Sequence, residues 1–220
     1  MVVRLLQVKI DLHVHTHYSY DAIIKPEELV FYVKKCGLDG IAITDHDTIE
    51  GAIKMAGTTD CLVIPGIEVT SLDGHVIGLN IEEQIPPKLS VAETVDRIHE
   101  AGGIAVACHP SAFFKESLGK HTNAKFDAVE VINSSSIPFN RSVKRSQKIT
   151  SILGVVKVAG SDAHYGPEIG CAYTVVDAEL DTDKIVKAIS KGLCEPFGNA
   201  IPLGTRLKRE FLSLKKRFRL

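Results

Sequence analysis

Histidines and carboxylates recur along this chain at spacings suited to metal ligation. His13 and His15 lie two apart, so on an extended strand both imidazoles point to one face. The same spacing returns at Asp162 and His164. Imidazole and carboxylate groups are suitable ligands for zinc, manganese, iron or, where histidine is scarcer, magnesium. Nine such residues lie at or near predicted strand ends: His13, His15, Asp21, His46, Glu68, His75, His109, Asp162 and His164.

The size of this set predicts more than one cation. A catalytic zinc typically takes about three protein ligands, which is fewer than this set supplies. The surplus predicts two or three divalent ions, with a carboxylate such as Glu68 bridging two of them. Clustered cations lower the pKa of bound water and clamp the attacking and leaving oxygens of a phosphoryl transfer. The predicted chemistry is hydrolysis of a phosphate ester by a metal-bridging hydroxide.

Other polar residues near these positions have ordinary interpretations. A lone histidine is more often a core or surface residue than a ligand, which is the interpretation favoured for His99 in a predicted helix and His121 in a polar loop. His17 stays open. Asp45 and Asp47 flank the histidine at the second strand end, where they either orient its ring or remain solvated loop acids.

The elements that must position the nine residues alternate along the chain. Such alternation of strands and helices predicts a mainly parallel sheet or barrel, with the site at the carboxyl ends of the strands. The strand at 61–64 is expected to end in a turn at Pro65-Gly66 that delivers Glu68. Strands are predicted over 8–14, 39–44, 61–64, 75–81, 103–107, 127–132, 155–159 and 172–176. Helices are predicted over 26–36, 48–56, 90–101, 138–153 and 183–190.

Composition narrows the classes of protein. No run approaches the roughly 20 apolar residues that cross a bilayer, and no signal-peptide pattern opens the chain. The cysteines form no CxxC pair, and an odd number without an export signal predicts reduced thiols and a cytoplasmic protein with no membrane partner. Cys108 is interpreted as a small buried core residue. The five cysteines are Cys36, Cys61, Cys108, Cys171 and Cys194.

Two basic segments each have two interpretations. Residues 204–220 carry seven basic residues against one acid, and apolar residues recur there at helical spacing. A terminal helix that docks this stripe on the barrel is favoured over a basic helix that recruits nucleic acid or a protein partner. On the helix at 138–153, a charged outer face is favoured over phosphate binding by Arg141, Lys144 or Arg145. The stripe consists of Leu203, Leu207, Phe211, Leu214 and Phe218.

Seven stretches, in order from about Val8 to Gly170, together resemble the PHP (polymerase and histidinol phosphatase) family. The first four are Asp11-Leu-His-Val-His-Thr16 with Ser19 and Asp21, Ile43-Thr-Asp-His-Asp-Thr48, Pro65-Gly-Ile-Glu68 and Gly74-His-Val-Ile-Gly78. The last three are Ala107-Cys-His-Pro110, Glu130-Val-Ile-Asn133 and Gly160-Ser-Asp-Ala-His164.

The resemblance implies a distorted (β/α)7 barrel that binds up to three divalent metals. We expect one phosphoesterase domain over residues 1–200 and a basic, helical tail over 201–220 packed on it. Glu68, Asp162 and His164 are the expected catalytic residues. The implied ligand sets are His13, His15, Glu68 and Asp162 for one ion, Glu68, His75 and His109 for a second, and Asp21, His46 and His164 for a third.

Three functions remain open at this point. The favoured one is an enzyme acting on a small phosphorylated substrate or nucleotide. The second is an exonuclease or nucleic-acid-processing phosphodiesterase whose basic tail feeds substrate to the same site. A non-catalytic metal-binding interaction module is the least favoured, because the predicted ligand set is complete.

Overall fold

The computed structural model describes residues 7–57, 61–113, 116–123 and 125–218, with side chains of the last helix described to residue 215. The strands are β1 (Gln7–Val14), β2 (Gly40–Ile43), β3 (Leu62–Ser71), β4 (Gly74–Leu79), β5 (Ile104–Ala107), β6 (Ala128–Asn133), β7 (Val156–Gly160), β8 (Ala172–Asp177) and β9 (Cys194–Gly198). The helices are α1 (Pro26–Lys35), α2 (Glu50–Ala56), α3 (Val91–Glu100), α4 (Phe139–Leu153), α5 (Thr182–Ser190) and α6 (Leu203–Phe218). Within the described ranges, no helix combines the length and apolarity needed to cross a bilayer.

All nine strands form one sheet that nearly closes on itself. Its order is β7-β6-β5-β4-β3-β2-β1-β8-β9, with β4, β8 and β9 antiparallel to their neighbours. Two contacts bring the edge strand β7 and the chain after it back against the middle of the sheet. Val14 of β1 pairs with Ala163, which follows β7. The Thr174 hydroxyl of β8 bonds both the N–H and the carbonyl of Ala159 in β7. The α/β barrel prediction is confirmed, although the sheet is more mixed than the alternating elements indicated.

Apolar side chains fill the barrel interior at the end where the strands begin. Val8, Ile10 and Ile64 belong to one buried cluster together with Ile185 and Ile189 of α5. Helix α5 therefore closes the amino end of the barrel and leaves the carboxyl ends of the strands open. Helices α1 and α2 cover the outer face of β1 to β3, and α3 covers that of β3 to β6.

The predicted turn at Pro65-Gly66 is wrong, because β3 runs straight through these residues. Pro65 pairs in parallel with Ile43 of β2, and Gly66 pairs antiparallel with Leu79 of β4. Strand β4 therefore joins β3 at this step, while the segment after β2 stays bonded to β3 through the Glu68 N–H and the Asp45 carbonyl. Proline, which has no N–H to donate, is the last residue before the pairing with β4 begins. Glycine follows because a Cβ here would lie 2.7 Å from the carbonyl oxygen of Gly78.

Strand β9 was not predicted from the sequence. It pairs with β8 alone and contains Pro196, a residue that lowers strand propensity but is tolerated on an edge strand. The pattern of an edge strand interrupted by proline is therefore weak, and only the pairing with β8 identifies it.

The tail is helical, as predicted, but its apolar stripe does not dock on the barrel. Four of the five predicted side chains are exposed to solvent, and that of Phe218 lies outside the described residues. The helix is attached by its polar face instead. The exposed fractions are 72% for Leu203, 63% for Leu207, 57% for Phe211 and 51% for Leu214.

Arg206 attaches α6 to the barrel. Its guanidinium donates hydrogen bonds to the main-chain carbonyls of Ser134 at 2.6 Å, Ser135 at 2.9 Å and Ile201 at 3.1 Å. Ser134 and Ser135 directly follow β6 at the open end of the barrel. One basic side chain thus fixes the helix beside the carboxyl ends of the strands.

Candidate metal centre

His13 and His15 reach the open end of the barrel because β1 is irregular. Its register with β2 shifts between Asp11 and Val14. Before the shift Leu12 points into the barrel, whereas Val14 packs in the outer layer. Such irregularities re-aim side chains next to functional sites. Both imidazoles are fully buried, and their Nε2 atoms lie 3.0 Å apart.

Glu68 lies between two groups of histidines. Its Oε2 atom is 3.1 Å from Nε2 of both His13 and His15. Its Oε1 atom is 2.8 Å from Nδ1 of His75 and 3.0 Å from Nε2 of His109. One carboxylate therefore presents each of its oxygens to a different pair of imidazoles, which is the arrangement of a bridging ligand.

A third group lies beside the first. The Asp21 Oδ2 atom is 3.1 Å from Nε2 of His164 and 3.6 Å from Nε2 of His46. Both rings lie close to His15, with centroid distances of 4.2 Å to His164 and 4.5 Å to His46. Among the described residues, Asp21 Oδ1 is buried and has no hydrogen-bond partner, and the buried His46 Nδ1 has none either, although it lies 3.4 Å from Oε2 of Glu68. Buried polar atoms left in this way fit a cation.

Asp162 completes the first group. Its Oδ1 atom is 3.6 Å from Nε2 of His13 and 3.5 Å from Nε2 of His15. Asp162 and His109 both have left-handed backbones, with φ of 56° and 29°. Non-glycine residues rarely adopt this conformation, and it clusters at functional sites. The structure thus brings together all nine residues that the sequence predicted.

The two imidazoles of the first group have opposite electrostatic environments. Burial opposes a charge on His13, but the carboxylates of Glu130 and Glu68 raise its pKa to about 9. Burial, together with the neighbouring His46, lowers the pKa of His15 to about 4. In the metal-free protein at neutral pH, His13 is therefore a positively charged imidazolium, whereas His15 is neutral.

The carboxylates that face these histidines stay ionised. Burial by itself raises the pKa of Glu68, but the surrounding imidazoles, His46 and His13 foremost, hold that pKa well below its usual range. The pKa of Asp21 is likewise lowered, because hydrogen bonds from His164 and His46 outweigh burial. At neutral pH these two carboxylates therefore carry the negative charge that attracts a cation.

Glu130 supports the site, although residue type and spacing predict no role for it. Its carboxylate accepts from Nδ1 of His13 at 3.0 Å, from the N–H of His109 at 2.8 Å and from the Asn133 amide at 2.9 Å. The Asn133 amide also donates to Asp162 at 3.1 Å. The available signal was an acid between apolar neighbours in a strand, since buried acids are rare unless paired.

Ser19 and Glu168 support the third group and were also missed. The Ser19 hydroxyl lies 3.2 Å from Nδ1 of His15 and accepts the N–H of His46 at 2.9 Å. The fully buried Glu168 accepts the N–H of His164 at 2.9 Å.

Asp45 and Asp47 do not orient His46, contrary to one prediction. Asp45 is buried and accepts the N–H and hydroxyl of Thr16 at 2.6 and 2.8 Å, so it is not a solvated acid either. Asp47 accepts the N–H of Thr70 at 2.7 Å. Both carboxylates hold main-chain segments near the site, a role that spacing along the chain does not reveal.

The remaining histidines lie apart from this centre. His99 pairs with Asp127 at 2.8 Å, and His121 lies 3.7 Å from Asp73. His17 is exposed and packs on Tyr18.

Cys108 is buried in the interior cluster, as predicted, and also touches the site. Its thiol donates to Oε1 of Glu68 at 3.2 Å and to the carbonyl of His75 at 3.1 Å. It therefore helps to hold the carboxylate that faces both histidine pairs.

The centre lies at the floor of a cavity of about 400 Å³. Helix α6 forms one wall with Arg209, Glu210 and Ser213. The Arg209 guanidinium lies 3.3 Å from Glu168 and 2.9 Å from Glu210, which places a positive group at the rim. Tyr20 lines the cavity as well.

The barrel is nearly closed, and imidazoles and carboxylates gather at its open end. This combination is typical of α/β barrels that bind divalent cations. Residues 11–213 match the PHP domain, and the chain belongs to this family. The family implies divalent metal cofactors.

Similar sequences include two uncharacterised proteins of Methanocaldococcus jannaschii. One is 36% identical over 140 residues, covering 57% of this chain and 82% of that protein. The other is 30% identical over 194 residues, covering 80% and 73%. A 5'-3' exoribonuclease of Haemophilus influenzae is 31% identical over 108 residues, covering 44% of this chain and 38% of that protein.

Solved structures share the fold at low sequence identity. PsfC of Pseudomonas syringae superposes with a TM-score of 0.73 at 15% identity, covering 95% of this chain and 98% of its own. A Bacteroides vulgatus two-domain protein, described as containing a PHP-like metal-dependent phosphoesterase, gives 0.70 at 16% identity, covering 94% and 70%. A lesion-specific endonuclease of Pyrococcus furiosus gives 0.61 at 18% identity, covering 87% and 58%.

Proposed function

We propose that this protein is a metal-dependent hydrolase that cleaves phosphate esters at a centre of two or three divalent cations. The observation that carries the proposal is the position of Glu68, whose two oxygens face separate pairs of histidines at 2.8 to 3.1 Å. A carboxylate placed between two sets of imidazoles suits adjacent cations, and paired cations are typical of phosphoryl-transfer sites.

We propose the three ligand sets that the family resemblance implies, and the distances between the described residues support them. His13, His15, Glu68 and Asp162 would hold one cation, and Glu68 with His75 and His109 a second. Asp21, His46 and His164 would hold a third. The mixture of imidazole and carboxylate suits zinc, manganese or iron, and suits magnesium less well because histidine predominates.

When bound, the cations supply positive charge for the phosphoryl oxygens and the acidity that makes water a nucleophile near neutral pH. The protein supplies orientation. Glu130 accepts a hydrogen bond from Nδ1 of His13, so that the lone pair on Nε2 of this ring would face the cation of the first ligand set. Asn133 holds Asp162 in the same way through its amide. We propose Glu68, Asp162 and His164 as the residues closest to the reacting phosphate.

The substrate enters through the cavity beside α6. A volume of about 400 Å³ accommodates a small phosphorylated molecule or one nucleotide. Arg209 at the rim offers a guanidinium, which is suited to bidentate contact with phosphate. We assign residues 1–200 to one catalytic domain with the tail packed on it.

A second candidate is a phosphodiesterase that processes nucleic acid. It is favoured by the similarity to the H. influenzae exoribonuclease and by the shared fold of the P. furiosus endonuclease. A solved complex of Endonuclease Q holds a 27-mer duplex substrate with an abasic lesion at the active site. A non-catalytic metal-binding module is disfavoured, because every predicted ligand residue lies at the centre.

The test is a substrate screen combined with metal analysis. The protein would be loaded with Mn²⁺, Zn²⁺, Fe²⁺ or Mg²⁺ and assayed on a phosphomonoester, a phosphodiester, nucleotides and short oligonucleotides. We expect Glu68→Gln to lower turnover by more than about 100-fold, because a direct ligand outweighs the 10- to 100-fold effect of its supporting residues. Elemental analysis should show less bound metal.

Glu82→Gln provides the matched control, because Glu82 is an exposed glutamate outside the cavity. Circular dichroism checks that both variants fold. Turnover that persists in Glu68→Gln, or a folded wild-type protein that takes up no divalent metal, would contradict the proposed function.

A further inference from the structure

One face of α4 carries four cations and no anion. Arg141, Lys144, Arg145 and Lys148 are exposed and line a shallow groove of about 520 Å³ together with Asn140. The helix itself contains no acid. Within the described ranges, no carboxylate lies within ion-pairing distance of any of the four, and we call this set the basic ridge.

The basic ridge is electrostatically unfavourable on its own. Arg141 and Arg145 are four residues apart, as are Lys144 and Lys148, so each pair places like charges side by side on the helix. Phe113 draws the two guanidiniums together, with their central carbons 4.7 and 4.9 Å from its ring centroid. An anion bound on the ridge would offset this repulsion.

The ridge starts next to the metal centre. Helix α4 begins four residues after Ser135, which lines the cavity. The Ser142 hydroxyl lies 3.4 Å from the carbonyl of Ser111, two residues beyond His109. Arg141 is the third residue of α4 and therefore lies at the end of the helix nearest the cavity, and the ridge extends from there for about 10 Å along the helix.

We propose that the basic ridge binds the phosphate backbone of single-stranded nucleic acid whose scissile phosphodiester lies in the metal centre. This inference rests on the proposed function and names its substrate class. In a polyanion with phosphates at regular intervals, one phosphate can lie at the metal centre while the neighbouring phosphates pair with the basic side chains of the ridge. Arginine forks suit these phosphates because they contact two oxygens at once.

Phe113 distinguishes nucleic acid from an acidic peptide as the occupant. Its ring is 46% exposed although it contacts both guanidiniums. An exposed aromatic ring among cations offers a stacking surface to a base, which single-strand-binding proteins use without sequence preference. An acidic peptide would pair with the basic side chains of the ridge and would leave the ring of Phe113 unused.

The test compares the double variant Arg141→Gln/Arg145→Gln with wild type. The probe is a short fluorescein-labelled oligonucleotide with phosphorothioate linkages, and the metal-loaded protein is titrated by anisotropy at several salt concentrations. Loss of two phosphate contacts should reduce the salt slope by about 1.4, equivalent to about 25-fold weaker binding near 0.1 M salt. Phe113→Leu should weaken binding with little change in that slope.

Catalytic assays separate this inference from the proposed function. The double variant should cleave an oligonucleotide more slowly but hydrolyse a small aryl phosphodiester at the wild-type rate. Lys187→Gln/Lys191→Gln is the matched control, since these exposed lysines lie on and just after α5 at the amino end of the barrel. It should bind and cleave like wild type.

Three results would overturn the ridge assignment: no binding of the probe by wild type, unchanged binding by the double variant, or equal competition by polyglutamate. The last would indicate a general anion surface. If wild type binds the probe through the ridge but hydrolyses no phosphate ester with any metal, the proposed function fails and the binding surface stands.

Discussion

At the scale of single residues, the site depends on side chains that do not face the proposed cations. Glu130 bonds the side chain of His13, the main chain of His109 and the Asn133 amide. Burial by itself raises its pKa, but His13 holds that pKa below its usual range. This one ionised carboxylate therefore fixes two of the proposed ligands, which come from different strand ends.

Replacing Glu130 by glutamine tests this role. Glu130→Gln keeps the shape of the side chain but removes the charge that orients His13. We expect metal affinity to fall by about 10- to 100-fold, the usual effect of losing a group that supports a ligand. Competition with a chromophoric chelator would measure it, and the exposed variant Glu82→Gln should match wild type. Affinity within twofold of wild type would remove Glu130 from the site.

At the scale of elements, α6 shows that a helix can attach by its polar face. Its apolar stripe is exposed, while Arg206 bonds three carbonyls and Arg209 reaches the buried Glu168. Glu168 in turn holds the main chain at His164. The helix is therefore connected to the metal centre through hydrogen bonds.

Arg206→Ala should release α6 from the barrel. Hydrogen bonds to charged groups contribute about 1.5–3 kcal/mol each, and the partly buried position of Arg206 argues for a total near the lower value, about 2 kcal/mol. Amide hydrogen exchange over 203–215 should accelerate by one to two orders of magnitude, since about 1.4 kcal/mol corresponds to a factor of ten. Lys215→Ala, an exposed change on the same helix, should leave the exchange rate unchanged. Unchanged exchange in Arg206→Ala would show that other contacts hold the helix.

At the scale of the whole molecule, we expect the site to couple metal binding, protonation and folding. The pKa of His13 is raised to about 9, so His13 stabilises the metal-free fold fully below pH 6.5, and this stability is lost as pH rises through about 9. A cation must displace the same proton. For each pH unit below 9, the affinity of the site for the cation therefore falls by up to about tenfold.

Metal should consequently stabilise the protein more at high pH than at low pH. At a metal concentration about 100 times the dissociation constant, the free energy of unfolding should rise by about 2.7 kcal/mol. At one fixed metal concentration, the rise in melting temperature over an EDTA-treated sample should grow between pH 7 and pH 9. Differential scanning calorimetry measures both. A rise that is independent of pH would contradict a proton held on His13.

Much of this architecture is determined locally by the sequence. The residue types and their positions at or near predicted strand ends predict all nine side chains that meet at the centre, because strands in an α/β barrel place their carboxyl ends together. Alternating apolar segments likewise predicted the barrel and its helices. Where local signals were weak, prediction failed: at Pro65-Gly66, where β4 begins to pair with a strand that continues, and at β9, an edge strand with a proline.

Only the tertiary structure decided how these parts meet. Spacing along the chain does not show that Glu68 divides its oxygens between two histidine pairs, or that Glu130 reaches His13 from another strand. An apolar stripe predicts a buried helix face, yet α6 attaches through Arg206. The physical reason is the same in each case: periodicity reports which side chains share a face, whereas their partners depend on contacts between residues far apart in sequence.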